Sequence, residues 1–273
     1  MNIVKLKPAA KEGMKTRNEN RLIAFHRIIP NLITLTAMAA GLTSLQLALS
    51  DQWDKAVIAV LIALVLDGMD GATARFLKAT SDFGVVLDTL SDFLAFGIAP
   101  AIILYTWILE ESGRIGWVAM IFYVSATALR LARFSVEQKK LPKWQKGFFF
   151  GIPSPAGAGL ALLPLILWFH YPEFFRQFAF ASPLVGMWII AVAGMMVSRI
   201  PTFSLKMVTI PAKMGMTVMA CMSLLLAALV NMPWPTLTVV GLVYMASIPF
   251  SIAYFRKQKR NHRDDEEEPG LQL

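Results

Sequence analysis

An all-α integral membrane protein of about eight transmembrane helices is the fold class this sequence predicts, and three observations carry it. Of 273 residues, 56% are hydrophobic and only 16% charged, against about 25% charged in soluble domains, and mean hydropathy is +0.56. Eight apolar segments follow one another, each near the ~20 residues that cross a bilayer. When those segments alternate in direction, 23 of the 26 Lys and Arg residues fall on one side, leaving only Lys55, Arg114 and Arg176 on the other. The positive-inside rule makes the basic side cytosolic, with both termini there.

The elements follow in order. Residues 1–29 form a basic arm with Lys5, Lys7, Lys11, Lys15, Arg17, Arg21 and Arg27, suited to the cytosol and the headgroup level. A membrane domain over 30–256 holds the spans, at roughly 31–50, 54–76, 83–109, 115–135, 153–171, 181–198, 211–231 and 235–255. Pro30, Pro153, Pro211 and Pro235 stand at span starts, where a missing N–H costs nothing. Residues 257–273 read as a charged, disordered tail ending in Asp264-Asp265-Glu266-Glu267-Glu268. No signal peptide is expected, because residues 1–29 lack an apolar run of their own.

The composition excludes several classes. Cys221 is the single cysteine, which rules out a disulfide framework and a cysteine-based metal site. His26, His170 and His262 lie at ends and loops without ligand partners. The net charge of +8 is distributed around the spans, which fits membrane phospholipids and argues against nucleic acid.

Four aspartates, Asp67, Asp70, Asp88 and Asp92, break the apolar pattern of spans 2 and 3. A charge in a span costs at least ~2.5–3.5 kcal/mol on insertion scales and marks a functional site. Asp67, Asp70, Gly71 and Ala74 share one helical face; Gly84, Asp88, Ser91, Asp92 and Ala95 share another. Small residues on both faces let the antiparallel spans approach closely, so two acidic stripes converge at their cytosolic ends. Grouped carboxylates need a compensating cation, and an all-oxygen donor set selects Mg²⁺ or Mn²⁺, with Ca²⁺ also compatible. A carboxylate pair on each helix suits two adjacent ions, and Arg75 can meet a phosphate.

The string Asp67-x2-Asp70-Gly71-x2-Ala74-Arg75-x8-Gly84-x3-Asp88-x3-Asp92 resembles, in full, the signature of the CDP-alcohol phosphatidyltransferases. That resemblance implies a usually dimeric integral-membrane enzyme that moves a phosphoalcohol unit from a CDP-linked donor to an acceptor hydroxyl, releasing CMP. It implies that Asp67 and Asp88 are shared by two metal ions, that Asp70 completes one shell, and that Asp92 completes the other and takes the acceptor proton. Gly71, Arg75, Ser81 and Gly84 match the region that meets the CDP part of the donor. The Pro30-Asn31-Leu-Ile-Thr34 opening of span 1 resembles the family's nucleotide-facing stretch and adds Asn31 and Thr34.

The acceptor is read from softer signals. Eight spans exceed the six that the resemblance implies for the glycerol 3-phosphate and inositol phosphate branches. The strings around Arg130 and Arg133, Gly151-Ile-Pro153-Ser-Pro155-Ala-Gly157 and Val197-Ser-Arg199-Ile-Pro201-Thr are similar to the bacterial branch acting on L-serine with CDP-diacylglycerol. A cytoplasmic (inner) bacterial membrane and a homodimer follow from the same resemblance. Arg130 and Arg133, level with the aspartates, can hold an acceptor carboxylate, or serve only the charge bias and lipid phosphates. Choline remains open through Trp144 and Phe148-Phe149-Phe150. Membrane prenyltransferases and cation-coupled transporters are alternatives from other classes, set back by the continuous acidic string and the lack of a repeat.

Overall fold

The computed structural model describes residues 9–137, 148–173, 181–203 and 214–267. Lys139, Lys140, Lys143, Trp144, Lys146, Arg176 and Pro211 lie outside the described residues. Helices α1 (Ala9–Ala48), α2 (Trp53–Phe76) and α3 (Asp82–Asp92) are followed by a π-helical turn (Phe93–Ile98) and α4 (Ala99–Trp107). Then come α5 (Arg114–Glu137), β1 (Phe148–Phe150), α6 (Ser154–His170), α7 (Ala181–Val197) and β2 (Pro201–Phe203). Helices α8 (Gly215–Asn231) and α9 (Pro233–Glu267) complete the chain.

Among the described residues, five stretches are long and apolar enough to cross a membrane: Ile28–Ala48, Trp53–Phe76, Asp82–Trp107, Arg114–Val136 and Pro233–Arg256. Three shorter apolar helices, α6, α7 and α8, have 17 residues each. Together they fall on the eight expected segments. A 17-residue helix rises about 25 Å, somewhat under a bilayer's ~30 Å core, a mismatch that local thinning accommodates. Leu32, Leu42, Ile62, Val65, Leu129 and Leu224 stand exposed on the outside, which in lipid is their favourable side.

Both ends of the chain extend their helices further than the pattern suggests. The apolar span starts at Ile28, close to Pro30 as expected, but its helix does not: α1 runs through Pro30 from Ala9. At the other terminus α9 continues to Glu267, across the segment expected to be disordered. The cause is alike in both places, since Lys, Arg, Gln and Glu are good helix formers and prolong a helix that the apolar span has already nucleated.

The packing centre is made of small and branched side chains. Ala48, Ala56, Ala63, Ala95, Ala99 and Ala101 are almost wholly buried, around Phe96, Ile103, Leu104, Leu165 and Ile189. Helix α1 lies along α2 and against α3. A Cβ at Gly41 would stand 2.6 Å from Leu94 Cδ2 and 3.2 Å from Ala95 Cα, so glycine lets α1 approach here without displacing Leu94.

The π-turn has a local cause. Pro100 lacks the N–H that would serve the Phe96 carbonyl four residues back, and its ring would crowd that carbonyl in α geometry. The backbone widens, with Ala99 N–H donating to Leu94 O, and the Tyr123 hydroxyl of α5 donates to Phe96 O at 2.8 Å. Tyr123 is 1% exposed. This joint follows directly after Asp92.

A two-stranded antiparallel pair, β1 with β2, was not anticipated by the period of the sequence. Phe149 stands opposite Thr202 in it. Gly151 turns the chain out of β1 with a φ of +82°, and a Cβ there would lie 2.4 Å from Met196 O, so this position requires glycine. Helix α9 packs on β2 and on α6.

Candidate active site

Helix α1 ties the two acidic helices together. The Thr34 hydroxyl donates to Asp70 Oδ2 at 2.5 Å, with Pro30 O at 3.1 Å as its alternative acceptor. The Thr34 carbonyl receives the Ser91 hydroxyl at 3.2 Å. One residue of the first span thus holds α2 and α3 in register. Asp70 is consequently 5% exposed.

The expected convergence of the aspartates is present. Asp67, Asp70 and Asp88 each offer a carboxylate oxygen within 4.8 Å of the others. Opposed ligands of one hard cation stand about 4–5 Å apart, close to that spacing, and the set is all oxygen, so these residues fit a divalent metal. Asp67 also contacts Asp92 and Asp88 directly, which makes Asp67 the shared member of the group.

A cleft of 160 Å³ opens beside the cluster, lined by Asn31, Thr34, Asp70, Gly71, Arg75, Ser81, Gly84 and Asp88 among others. All six residues expected to face the donor nucleotide therefore border one space. Arg75 is exposed at the end of α2, free to swing toward an anion. Gly71 has only Arg75 Nη1 near the position of an added Cβ, at 3.5 Å; its missing side chain leaves open space on the cleft wall. Ser81 caps α3, its Oγ accepting from Gly84 N at 3.1 Å. The hydroxyl proton stays available. A Cβ on Gly84 would press on Asn31 Oδ1 at 3.1 Å and on Ser81 Oγ at 3.2 Å, so Gly84 preserves the cleft.

The two arginines of α5 have different surroundings. Arg130 is 8% exposed; its Nη1 donates to Ser154 Oγ at 2.6 Å, and its charge interacts with Asp92. Arg133 Nη1 donates to the Val197 carbonyl at 2.7 Å, where a cation suits the last turn of α7. Tyr244 of α9 also interacts with Arg130. Tyr244 lies in an apolar span, and no signal in the sequence distinguishes it from an ordinary interfacial aromatic residue. Ser154 was visible only as part of a proline-flanked span start.

The model of the CDP-alcohol phosphatidyltransferase family matches residues 27–197, and a second model, CDP-alcohol phosphatidyltransferase 2, matches 214–249. Among relatives, the chain is 34% identical over 243 residues to a CDP-diacylglycerol–serine O-phosphatidyltransferase of Mycobacterium leprae, covering 88% of this chain and 79% of that one. It is 35% identical over 178 residues to the protein of that name in Helicobacter pylori, covering 64% and 73%. The Bacillus subtilis protein so named is 36% identical over 143 residues, covering 52% and 76%.

Proposed function

Because the chain belongs to the CDP-alcohol phosphatidyltransferase family, we propose that it transfers the phosphatidyl group of CDP-diacylglycerol to the hydroxyl of L-serine, giving phosphatidylserine and CMP. The observation that carries the chemistry is the aspartate cluster opening on a cleft lined by Arg75, Gly71 and Ser81. The names of the relatives support serine as the acceptor.

In this reading Asp67, Asp70, Asp88 and Asp92 would hold two divalent cations, Mg²⁺ or Mn²⁺, which would supply charge neutralisation for the phosphoryl oxygens and the departing phosphate. Asn31, Thr34, Gly71, Arg75, Ser81 and Gly84 bind and orient the donor. Asp92 accepts the proton of the serine hydroxyl as its oxygen bonds to the lipid-bearing phosphorus. The bond from that phosphorus to the bridging oxygen breaks, and CMP leaves with the electron pair. Arg130, whose charge interacts with Asp92, takes the acceptor end.

The same reading places a homodimer in a bacterial cytoplasmic membrane, with the aspartates and both termini toward the cytosol, as the bias in Lys and Arg supports. Residues 30–256 are its membrane domain, flanked by the 1–29 arm and the 257–273 tail.

The test follows CMP release from purified protein with CDP-diacylglycerol, Mg²⁺ or Mn²⁺, and L-serine, choline, glycerol 3-phosphate or inositol phosphate. Serine-dependent CMP release, abolished by EDTA and restored by Mn²⁺, is expected. Release with choline but not serine overturns the acceptor; release that survives EDTA overturns the metal.

A further inference from the structure

Two neighbouring buried donors, Arg130 Nε and the Tyr244 hydroxyl, make no well-formed hydrogen bond. Arg130 uses Nη1 on Ser154, while its Nε is sealed from solvent and unpaired. The Tyr244 hydroxyl sits beside Thr202 and Arg130, yet it too is sealed without a well-formed hydrogen bond. Thr202 directs its own hydroxyl proton to Gly151 O at 3.0 Å. Leaving a buried donor unpaired costs about 1–3 kcal/mol. Such groups in a native structure call for an explanation in function or in an absent ligand.

The two donors have the chemistry of a carboxylate site. A guanidinium donates only and carries its charge permanently. A phenol beside it offers a second donor to an anion with two oxygens. The Phe134 ring lies 5.8 Å from the guanidinium carbon and Ser154 holds one nitrogen, so the guanidinium plane is fixed before any ligand arrives. Helix α9 is held against this wall through β2 and α6. A bridging water would also satisfy both donors, but only an anion adds charge attraction to the guanidinium.

We propose that Arg130 Nε and the Tyr244 hydroxyl together read the carboxylate of an amino-acid acceptor, so that the last span selects amino acids over simple amino alcohols. This rests on the serine reading above. A carboxylate anchored at Arg130 leaves the hydroxyl, two carbons away, free to face Asp92, with which Arg130 also interacts. Tyr244 lies outside residues 27–197 and inside the separately matched 214–249 segment, so the C-terminal pair of spans acquires a role in specificity.

The experiment measures steady-state CMP release by the full-length protein with CDP-diacylglycerol and Mg²⁺, using L-serine or ethanolamine, which keeps the hydroxyl and amine but lacks the carboxylate. For Tyr244→Phe, the KM for serine should rise about tenfold while the KM for CDP-diacylglycerol stays within twofold. The serine-to-ethanolamine preference in kcat/KM should fall by a similar factor. Arg130→Lys, which keeps the charge and drops the Nε donor, gives a second reading of that preference should Tyr244→Phe fail to accumulate. An unchanged preference, or equal increases in both KM values, overturns the proposal and leaves Tyr244 a packing residue. Wild-type protein that ignores serine overturns the functional reading itself, whatever the variants do.

Discussion

At the end of the bundle that carries the aspartates, helices meet through small residues and hydrogen bonds, whereas at the opposite end they meet through indole rings. Thr34 alone joins three helices at the first end, and Gly84 and Gly71 keep its cleft open. At the second, Trp53 and Trp107 pack on Trp168 at 6.1 and 5.9 Å, and Phe169 packs on Trp234 at 4.4 Å. Trp53 Nε1 donates to Thr106 Oγ1 at 3.3 Å. Large amphipathic rings suit the membrane boundary and supply contact area. Bulky packing thus sits away from the chemistry, while at the aspartate end small residues and a few hydrogen bonds hold the helices and leave a cleft open beside the carboxylates.

The sharpest way to break that separation is Asp92→Asn. Asparagine keeps an oxygen for a metal but cannot accept the proton. Turnover should fall by about 10²–10⁴-fold, the usual share of a general base, with Mn²⁺ affinity and CDP-diacylglycerol binding close to wild type. Near-normal turnover would remove Asp92 from the base role. The mirror experiment is Trp168→Ala, which removes the ring that three aromatic neighbours share. Stability should drop by about 2–4 kcal/mol, given that the ring is only partly buried, read as a lower melting temperature in detergent. The KM values should hold below that temperature. A loss of activity without a loss of stability would show that the two ends are coupled.

How legible each end is in the sequence follows from the same physics. The aspartate stripes are visible because charge in an apolar chain is costly and the helical period fixes which residues share a face. Asn31 and Thr34 lie on a different span, well before them in the chain, and only the resemblance joined them to the site. What needs distant partners was not legible. The capping of Val197 by Arg133 links residues far apart in the chain, as does the pairing of Phe149 with Thr202. Tyr244 carries no charge, so nothing in an apolar span sets it apart until Arg130 is found beside it. Pro30 signals a helix start by composition, but the preceding charged residues favour helix strongly enough for α1 to pass through it.

Tyr123 stands between the two ends and tests whether the joint after Asp92 transmits anything to the site. Its hydroxyl serves the Phe96 carbonyl, which Pro100 deprives of a backbone donor. Tyr123→Phe leaves that carbonyl buried and unpaired, so it should cost about 1–3 kcal/mol of stability. A several-fold fall in kcat without a change in the KM for CDP-diacylglycerol should accompany it if the turn aims Asp92. Pro100→Ala supplies an N–H four residues after Phe96. In that background the carbonyl has its own donor, and Tyr123→Phe should cost roughly half as much or less, a coupling of the size expected for residues that share one partner. Equal costs in the two backgrounds would mean that the hydroxyl acts through some other contact. A stability effect with kcat intact would mean that the π-turn is a local answer to Pro100 and not a support for Asp92.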